Sequence, residues 1–124
     1  MWALEHGLGG EILVPKIASY RIEDVAQAIA PSCRQDIVGI RPGEKLHEEM
    51  ITKSDSPNTL DIGDYYAILG SGAQKQRDQY LGYKGAKEMP HGFAYDSGTN
   101  QDFLSVDQIR HLIRQHINPA FEPV

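Results

Sequence analysis

Asp36-Ile37-Val38-Gly39-Ile40-Arg41-Pro42-Gly43-Glu44-Lys45-Leu46-His47-Glu48-Glu49-Met50 is the stretch whose reading decides the fold. Ile37 to Ile40 is an apolar run of strand length, which predicts a short buried strand. Pro42 presets φ and Gly43 tolerates φ > 0, so Arg41-Pro42-Gly43 is expected to turn. Glu44 to Met50 contains strong helix formers and no breaker, which predicts a helix. Ligands of open α/β sheets bind beyond the carboxyl ends of strands. Arg41 stands at such an end, with Lys45 one turn away. A guanidinium is a planar donor fork suited to phosphate.

Upstream, Glu11-Ile12-Leu13-Val14-Pro15-Lys16 reads as a strand ended by Pro15. Ile22, Val25, Ala26 and Ile29 recur at helical spacing, Glu23 and Asp24 suit the helix N-terminus, and Pro31 stops it. Strand, helix and the strand at Ile37–Ile40 make a βαβ-like unit, which predicts two parallel strands. Before it, Met1 to His6 is helical in composition and ends at Gly7. No N-cap precedes that helix, so it reads as one that begins further upstream, with Trp2 and Leu4 packing against what precedes them. The other reading is a frayed terminal turn.

Downstream, Ile51 to Asp64 has loop chemistry, with an extended piece around Thr59-Leu60-Asp61-Ile62. Tyr65 to Leu69 is a strand by composition. Gly70 to Gly92 is polar, glycine-dotted and without a period, so it reads as a long loop or as a piece that packs on something else. Phe93-Ala94-Tyr95 is extended and Asp96 to Asn100 is a turn. Ser105 caps a helix whose stripe is Val106, Ile109, Leu112, Ile113 and Ile117, ended by Asn118-Pro119. The elements sum to a mixed α/β (α+β) fold class: a short, partly parallel sheet and about three helices.

The 124 residues suit one domain, and the formal charge is −5 with the cations dispersed. A duplex-binding protein needs a basic face, so nucleic acid is excluded as a partner. No apolar run is long enough for a membrane, and no export signal opens the chain. The single cysteine, Cys33, has no partner for an internal disulfide and reads as a small semi-buried side chain. A reducing cytoplasm is the simplest setting.

Arg41 and Lys45, with Glu44, read either as a phosphate clamp or as a solvated turn with a surface ion pair. His47 and Glu48 point about 100° apart on a helix, and no second His stands four positions after His47. His111 and His116 share no helix face. No metal site is expected. Asp61, Asp64, Glu48 and Glu49 could supply a carboxylate pair, but nothing in the sequence brings two of them together. Ser97, Thr99 and Asn100 either grip the polar groups of a ligand or simply form the turn. Gly7-Leu8-Gly9-Gly10 lacks the glycine spacing of a dinucleotide loop and opens a strand. Tyr80 and Lys84 have the Tyr-x-x-x-Lys spacing, but Gly82 and Gly85 argue against a helix through them.

Gly9-Gly10-Glu11-Ile12-Leu13-Val14-Pro15-Lys16, Val38 to Met50, Tyr95-Asp96-Ser97-Gly98-Thr99-Asn100 and Leu104-Ser105-Val106 occur in this order. Together they resemble the carboxyl-terminal part of the inverting UDP-N-acetylglucosamine 4,6-dehydratases. These are polysaccharide-biosynthesis members of the extended short-chain dehydrogenase/reductase superfamily. The resemblance implies a parent lyase that oxidises the sugar at C4 with NADP, eliminates water across C5 and C6, and returns the hydride to C6. Its products would feed pseudaminic acid and related surface-polysaccharide or flagellin-glycan pathways. It implies that residues 1–124 are a single substrate-binding domain, truncated from a two-domain enzyme and lacking the Rossmann domain, the catalytic Tyr/Lys pair and any cofactor of its own. It assigns Arg41 to the UDP diphosphate, Glu44 and Lys45 to the shape of the turn, and Ser97, Thr99, Asn100 and Gln101 to a loop closing on the nucleotide-sugar. The partners implied are a UDP-sugar and either a Rossmann domain or another copy of the chain. The alternative is a stand-alone, non-catalytic binding or assembly module of the same fold.

Overall fold

The computed structural model describes residues 2–82 and 85–124, with Trp2 by its backbone alone. In chain order the elements are α1 (Trp2–His6), β1 (Ile12–Pro15), α2 (Ile22–Ile29), β2 (Glu49–Ile51), a 3-10 turn (Ser56–Asn58), β3 (Thr59–Asp61), β4 (Tyr65–Ile68), α3 (Gln74–Leu81), β5 (Lys87–Glu88), β6 (Tyr95–Asp96) and α4 (Val106–His116). They divide into two compact units, residues 1–17 with 49–96, and residues 18–48 with 97–124.

The first unit is built on a four-stranded sheet, order β1-β4-β3-β5. Every pairing in it is antiparallel. β3 and β4 form a hairpin closed by Gly63-Asp64, with the Ile62 N–H donating to the Tyr65 carbonyl at 3.0 Å. Gly63 has φ 95° and Asp64 does not share its sign, the pattern of a two-residue hairpin turn with glycine first. Leu60, Ala67, Leu69 and Tyr80 form the buried cluster, with Leu13, Ile62 and Ala73 packed against it. A separate two-stranded piece pairs β2 with β6. The connection from Thr52 to Thr59 is held from within. Asp55 Oδ2 accepts from the Thr52 N–H and hydroxyl, and the buried Thr59 hydroxyl donates to the Asp55 carbonyl at 2.8 Å.

Glu11 ties the start of this unit together. Its Oε1 accepts from the Leu8 N–H at 2.7 Å and from the Tyr80 hydroxyl at 2.9 Å. A Cβ at Gly7 would stand 2.6 Å from the Ala3 carbonyl oxygen and 2.9 Å from that same Oε1, so only glycine fits there. Burial pushes the Glu11 carboxyl up in pKa. The N–H groups of Glu11 itself, Gly9 and Leu8, with the Tyr80 hydroxyl, more than reverse this, and the net shift is downward.

In the second unit α2 packs on α4, burying Ala28 and Ile109. Ser105 caps α4 through a reciprocal pair with Gln108, at 3.3 Å and 2.8 Å. The Arg110 guanidinium donates to the Ala28 and Gln27 carbonyls at 3.1 Å each. A cation there complements the negative end of α2, an effect of about 0.3–1 kcal/mol. Ser19 bridges to Phe103 in parallel. Its N–H donates to the Asp102 carbonyl and its carbonyl accepts from the Leu104 N–H, both at 2.8 Å.

The mixed α/β class holds, and the structure corrects several details. The expected parallel βαβ unit is absent among the described residues, because β1 pairs with β4 and that pairing is antiparallel. Ile37 to Ile40 is neither strand nor buried: Ile37 is 89% exposed and Val38 85%. A strand exists only by pairing, and among the described residues no backbone pairs with this run. Glu44–Met50 is not a helix. Its last residues enter β2 and pair with β6, so a tertiary partner overrides local propensity. The supposed loop Gly70–Gly92 holds α3 and β5. The residues of α3 are good helix formers, but only Tyr80 is buried, so no apolar period announces the helix. Four α-helices are therefore described rather than three. Cys33 is exposed. The Trp2 side chain and Lys84 lie outside the described residues. Among the described residues no helix is long and apolar enough to cross a membrane.

Two outcomes follow for the first unit. Leu60→Ala removes a fully buried side chain and should cost about 2–5 kcal/mol in urea unfolding. The depressed Glu11 carboxyl contributes stability above its unfolded-state pKa and loses it as pH falls through the lower folded-state value. Thermal midpoints measured from neutral pH into acid should therefore fall more steeply for the natural chain than for Glu11→Gln. Parallel curves would show that Glu11 carries no such linkage.

Candidate functional site

The turn anticipated at Arg41 is present and is closed twice. The Glu44 N–H donates to the Arg41 carbonyl at 3.1 Å, and the Arg41 N–H donates to Glu44 Oε2 at 3.0 Å. Pro42 sits second and Gly43, at φ 90°, third, which is the arrangement of a type II turn. A Cβ at Gly43 would meet nothing within 4 Å, so backbone angle rather than space requires the glycine. The Glu44 carboxylate is thus spent on the turn itself. Arg41 and Lys45 are exposed, and among the described residues neither cationic head has a hydrogen-bond or ion-pair partner. Two unneutralised cations therefore flank one rigid turn, which suits an anionic ligand.

The late loop is anchored to the end of this segment. The Ser97 hydroxyl accepts from the Glu48 N–H at 3.0 Å, and the Ser97 N–H donates to the Glu48 carbonyl at 2.8 Å. Asn100 is half-buried, and its amide is used internally. Nδ2 donates to Ser19 Oγ at 2.9 Å and Oδ1 accepts from the Asp102 N–H at 3.1 Å. Thr99 and Gln101 are exposed. The structure thus joins Arg41 to Glu44 and ties Ser97 to Glu48, within one unit of the fold. Glu48 and Ser19 were not singled out as anchors from the sequence. They act across separations of 49 and 81 residues, and no spacing rule reports such bonds.

Other candidates are committed elsewhere. Asp61 holds Lys16 Nζ at 2.7 Å and the Gly63 N–H at 3.0 Å. Lys16 also lies over the Tyr66 ring, 4.6 Å from its centre. Burial raises the Tyr66 pKa, opposed by the Lys16 charge and reinforced by Asp61 and Tyr95. Tyr80 is buried and donates its hydroxyl to Glu11, a structural use rather than that of a proton donor at a sugar. The glycine-dense loop Gly7–Gly10 does not fit a dinucleotide phosphate. Its Leu8 N–H is already given to the Glu11 carboxylate, and a second anion there would be repelled.

Known proteins are similar to this chain in sequence and in fold. The family described as "Polysaccharide biosynthesis protein" matches residues 1–69. The UDP-N-acetylglucosamine 4,6-dehydratase (inverting) of Campylobacter jejuni subsp. jejuni serotype O:2 is 43% identical over 110 residues, 85% of this chain and 33% of that protein. A UDP-glucose 4-epimerase of Rickettsia canadensis is 30% identical over 122 residues, 91% of this chain and 34% of that protein. The X-ray structure of Pen from Bacillus thuringiensis aligns with a TM-score of 0.67 over 91% of this chain and 33% of that one. At 24% identity it speaks for the fold. The chain spans about a third of the length of the curated relatives it matches.

Ser97→Ala removes the hydroxyl that holds the Glu48 amide. It should cost about 0.5–1.5 kcal/mol, read as faster hydrogen exchange at Glu48 with exchange in β3 and β4 unchanged. An unaltered Glu48 amide would show that this bond does not hold the loop in solution.

Proposed function

We propose that this chain, which belongs to the family of polysaccharide biosynthesis proteins, is the nucleotide-sugar-binding portion of an NADP-dependent 4,6-dehydratase acting on UDP-N-acetylglucosamine. The observation that carries the reading is the rigid Arg41–Glu44 turn with its two unpaired cations. Arg41 takes the diphosphate and Lys45 adds charge beside it. Glu44 binds no ligand but fixes the turn by accepting the Arg41 N–H. Ser97 sets the late loop against Glu48, and Thr99 and Gln101 offer exposed polar groups to the ligand. Asn100 contributes by pinning that loop to Ser19.

The names of the relatives support the UDP end most directly. A dehydratase of UDP-N-acetylglucosamine and an epimerase of UDP-glucose share that part of the substrate and differ in the sugar. The higher identity to the dehydratase favours N-acetylglucosamine. In this reading residues 1–124 act as one substrate-binding domain, and hydride transfer belongs to polypeptide that carries NADP and a catalytic pair. The pathway served is surface-polysaccharide or flagellin-glycan biosynthesis, a cytoplasmic process.

Titration of the chain with UDP-N-acetylglucosamine, followed by amide NMR, should shift resonances around Arg41 before any others. Arg41→Ala should weaken binding about tenfold, equivalent to about 1.4 kcal/mol. A variant with an unchanged titration would remove Arg41 from the site. Incubation with UDP-N-acetylglucosamine and NADP should yield no 4-keto product, and turnover by this chain would overturn its assignment as a binding portion.

A further inference from the structure

An open cavity of about 460 Å³ lies wholly within the first unit, and none of the residues discussed as UDP-sugar contacts lines it. Pro57 comes from the 3-10 turn, Gln74 and Arg77 from the start of α3, Glu88 from β5, and Met89 and His91 from the chain that follows. The volume is that of a small-molecule site, about 300–1,000 Å³. Arg77 is set deep in it, its side chain 19% exposed against 62% for Glu88.

The polar groups of this cavity are only partly used. One terminal guanidinium nitrogen of Arg77 donates to Glu88 Oε1 at 2.6 Å, and the other to the Pro57 carbonyl. A guanidinium carries more N–H donors than that, and the rest have no partner among the described residues. The Arg77–Glu88 contact is single-point rather than a fork, so Glu88 Oε2 stays open. Gln74 spends Nε2 on Asp78 at 2.8 Å and keeps Oε1. The His91 ring is exposed and has no hydrogen-bond partner among the described residues. The backbone beneath these groups is fixed. The Met89 N–H donates to the Thr59 carbonyl at 3.3 Å, and the Gly92 N–H to the hydroxyl of the buried Ser56 at 2.9 Å. Joining β5 to α3 accounts for the contact of Arg77 with Glu88. It gives no use to Gln74 Oε1 or to His91.

We propose that this cavity is a second ligand site, one that takes a neutral, polyhydroxylated molecule: a saccharide unit without phosphate. Charge excludes an anion. Glu88 already counters Arg77, and a negative ligand would also face the open Oε2. A hydroxyl both donates and accepts. Adjacent hydroxyls of a sugar therefore match the free N–H groups of Arg77 on one side and the acceptors Glu88 Oε2 and Gln74 Oε1 on the other. A neutral imidazole at His91 adds one donor and one acceptor. Pro57 and the half-buried Met89 supply apolar surface for the C–H face of the ring.

Titration of the whole chain with free glucose or free N-acetylglucosamine, to about 50 mM, is followed by amide NMR. A ligand of this size binds with a Kd on the order of millimolar. At least one of the sugars should give saturable shifts at Gln74, Arg77, Met89 and His91. Arg77→Lys keeps a cation beside Glu88 but loses the planar donors, and should weaken binding about tenfold. His91→Ala, at an exposed position, should weaken it several-fold with the β3 and β4 amides unmoved. The absence of saturable shifts with both sugars overturns the proposal. So does a titration unchanged in either variant, or inorganic phosphate binding at these residues more tightly than the sugars. Arg41→Ala should leave the free-sugar titration as it is, and sugar shifts centred on Arg41 also overturn a second site. The probes carry no nucleotide, so failure here leaves the UDP-sugar reading standing, and failure of that reading leaves this cavity untouched.

Discussion

Backbone pairing on both edges of β4 is the constraint from which the first unit follows. β4 lies between β1 and β3, and both neighbours run antiparallel to it. With both edges occupied, its backbone polar groups are satisfied without water. Ala67, at its centre, is therefore fully buried, and Leu60 on β3 is buried beside it. Tyr80 closes this cluster from α3. Its hydroxyl must find a partner once buried, and Glu11 provides it. The same carboxylate holds the loop between α1 and β1. Sheet core and leading loop therefore share one hydrogen-bonding group.

The second unit depends on loops that are tied rather than buried. Ser19 is bonded through its N–H, its carbonyl and its hydroxyl, to Asp102, Leu104 and Asn100. Glu48 and Ser97 exchange two bonds. The Arg41 turn carries its own internal closure through Glu44. Loops tied this way keep the Arg41 and Lys45 cations in water. That costs no desolvation and leaves them free for an anionic ligand. It also leaves the preceding apolar run exposed, so one segment presents a charged turn and an apolar run side by side.

Legibility in the sequence followed the range of the interactions. β1, α2, β4 and α4 were readable from apolar period and punctuation, because local pattern and tertiary burial agree there. The Ser105 cap and the Arg41-Pro42-Gly43 turn were readable because their chemistry closes within a few residues. α3 was missed because its helix formers carry no apolar stripe and only Tyr80 reaches the core. The Glu44–Met50 helix was wrong because Glu49 to Ile51 is claimed by a strand 45 or so residues away, an energy that propensity does not contain.

The sequence by itself determined the family resemblance, the mixed α/β class, the caps and the turns, since each is written in neighbouring residues. The tertiary structure alone decided strand direction, the exposure of Ile37 to Ile40, the commitment of Asn100 to Ser19, and the use of Glu11 as a hub. Those outcomes rest on which distant backbone or side chain supplies a hydrogen-bond partner. A polar group or a strand edge can be satisfied by many partners of the same chemistry, and only packing selects among them.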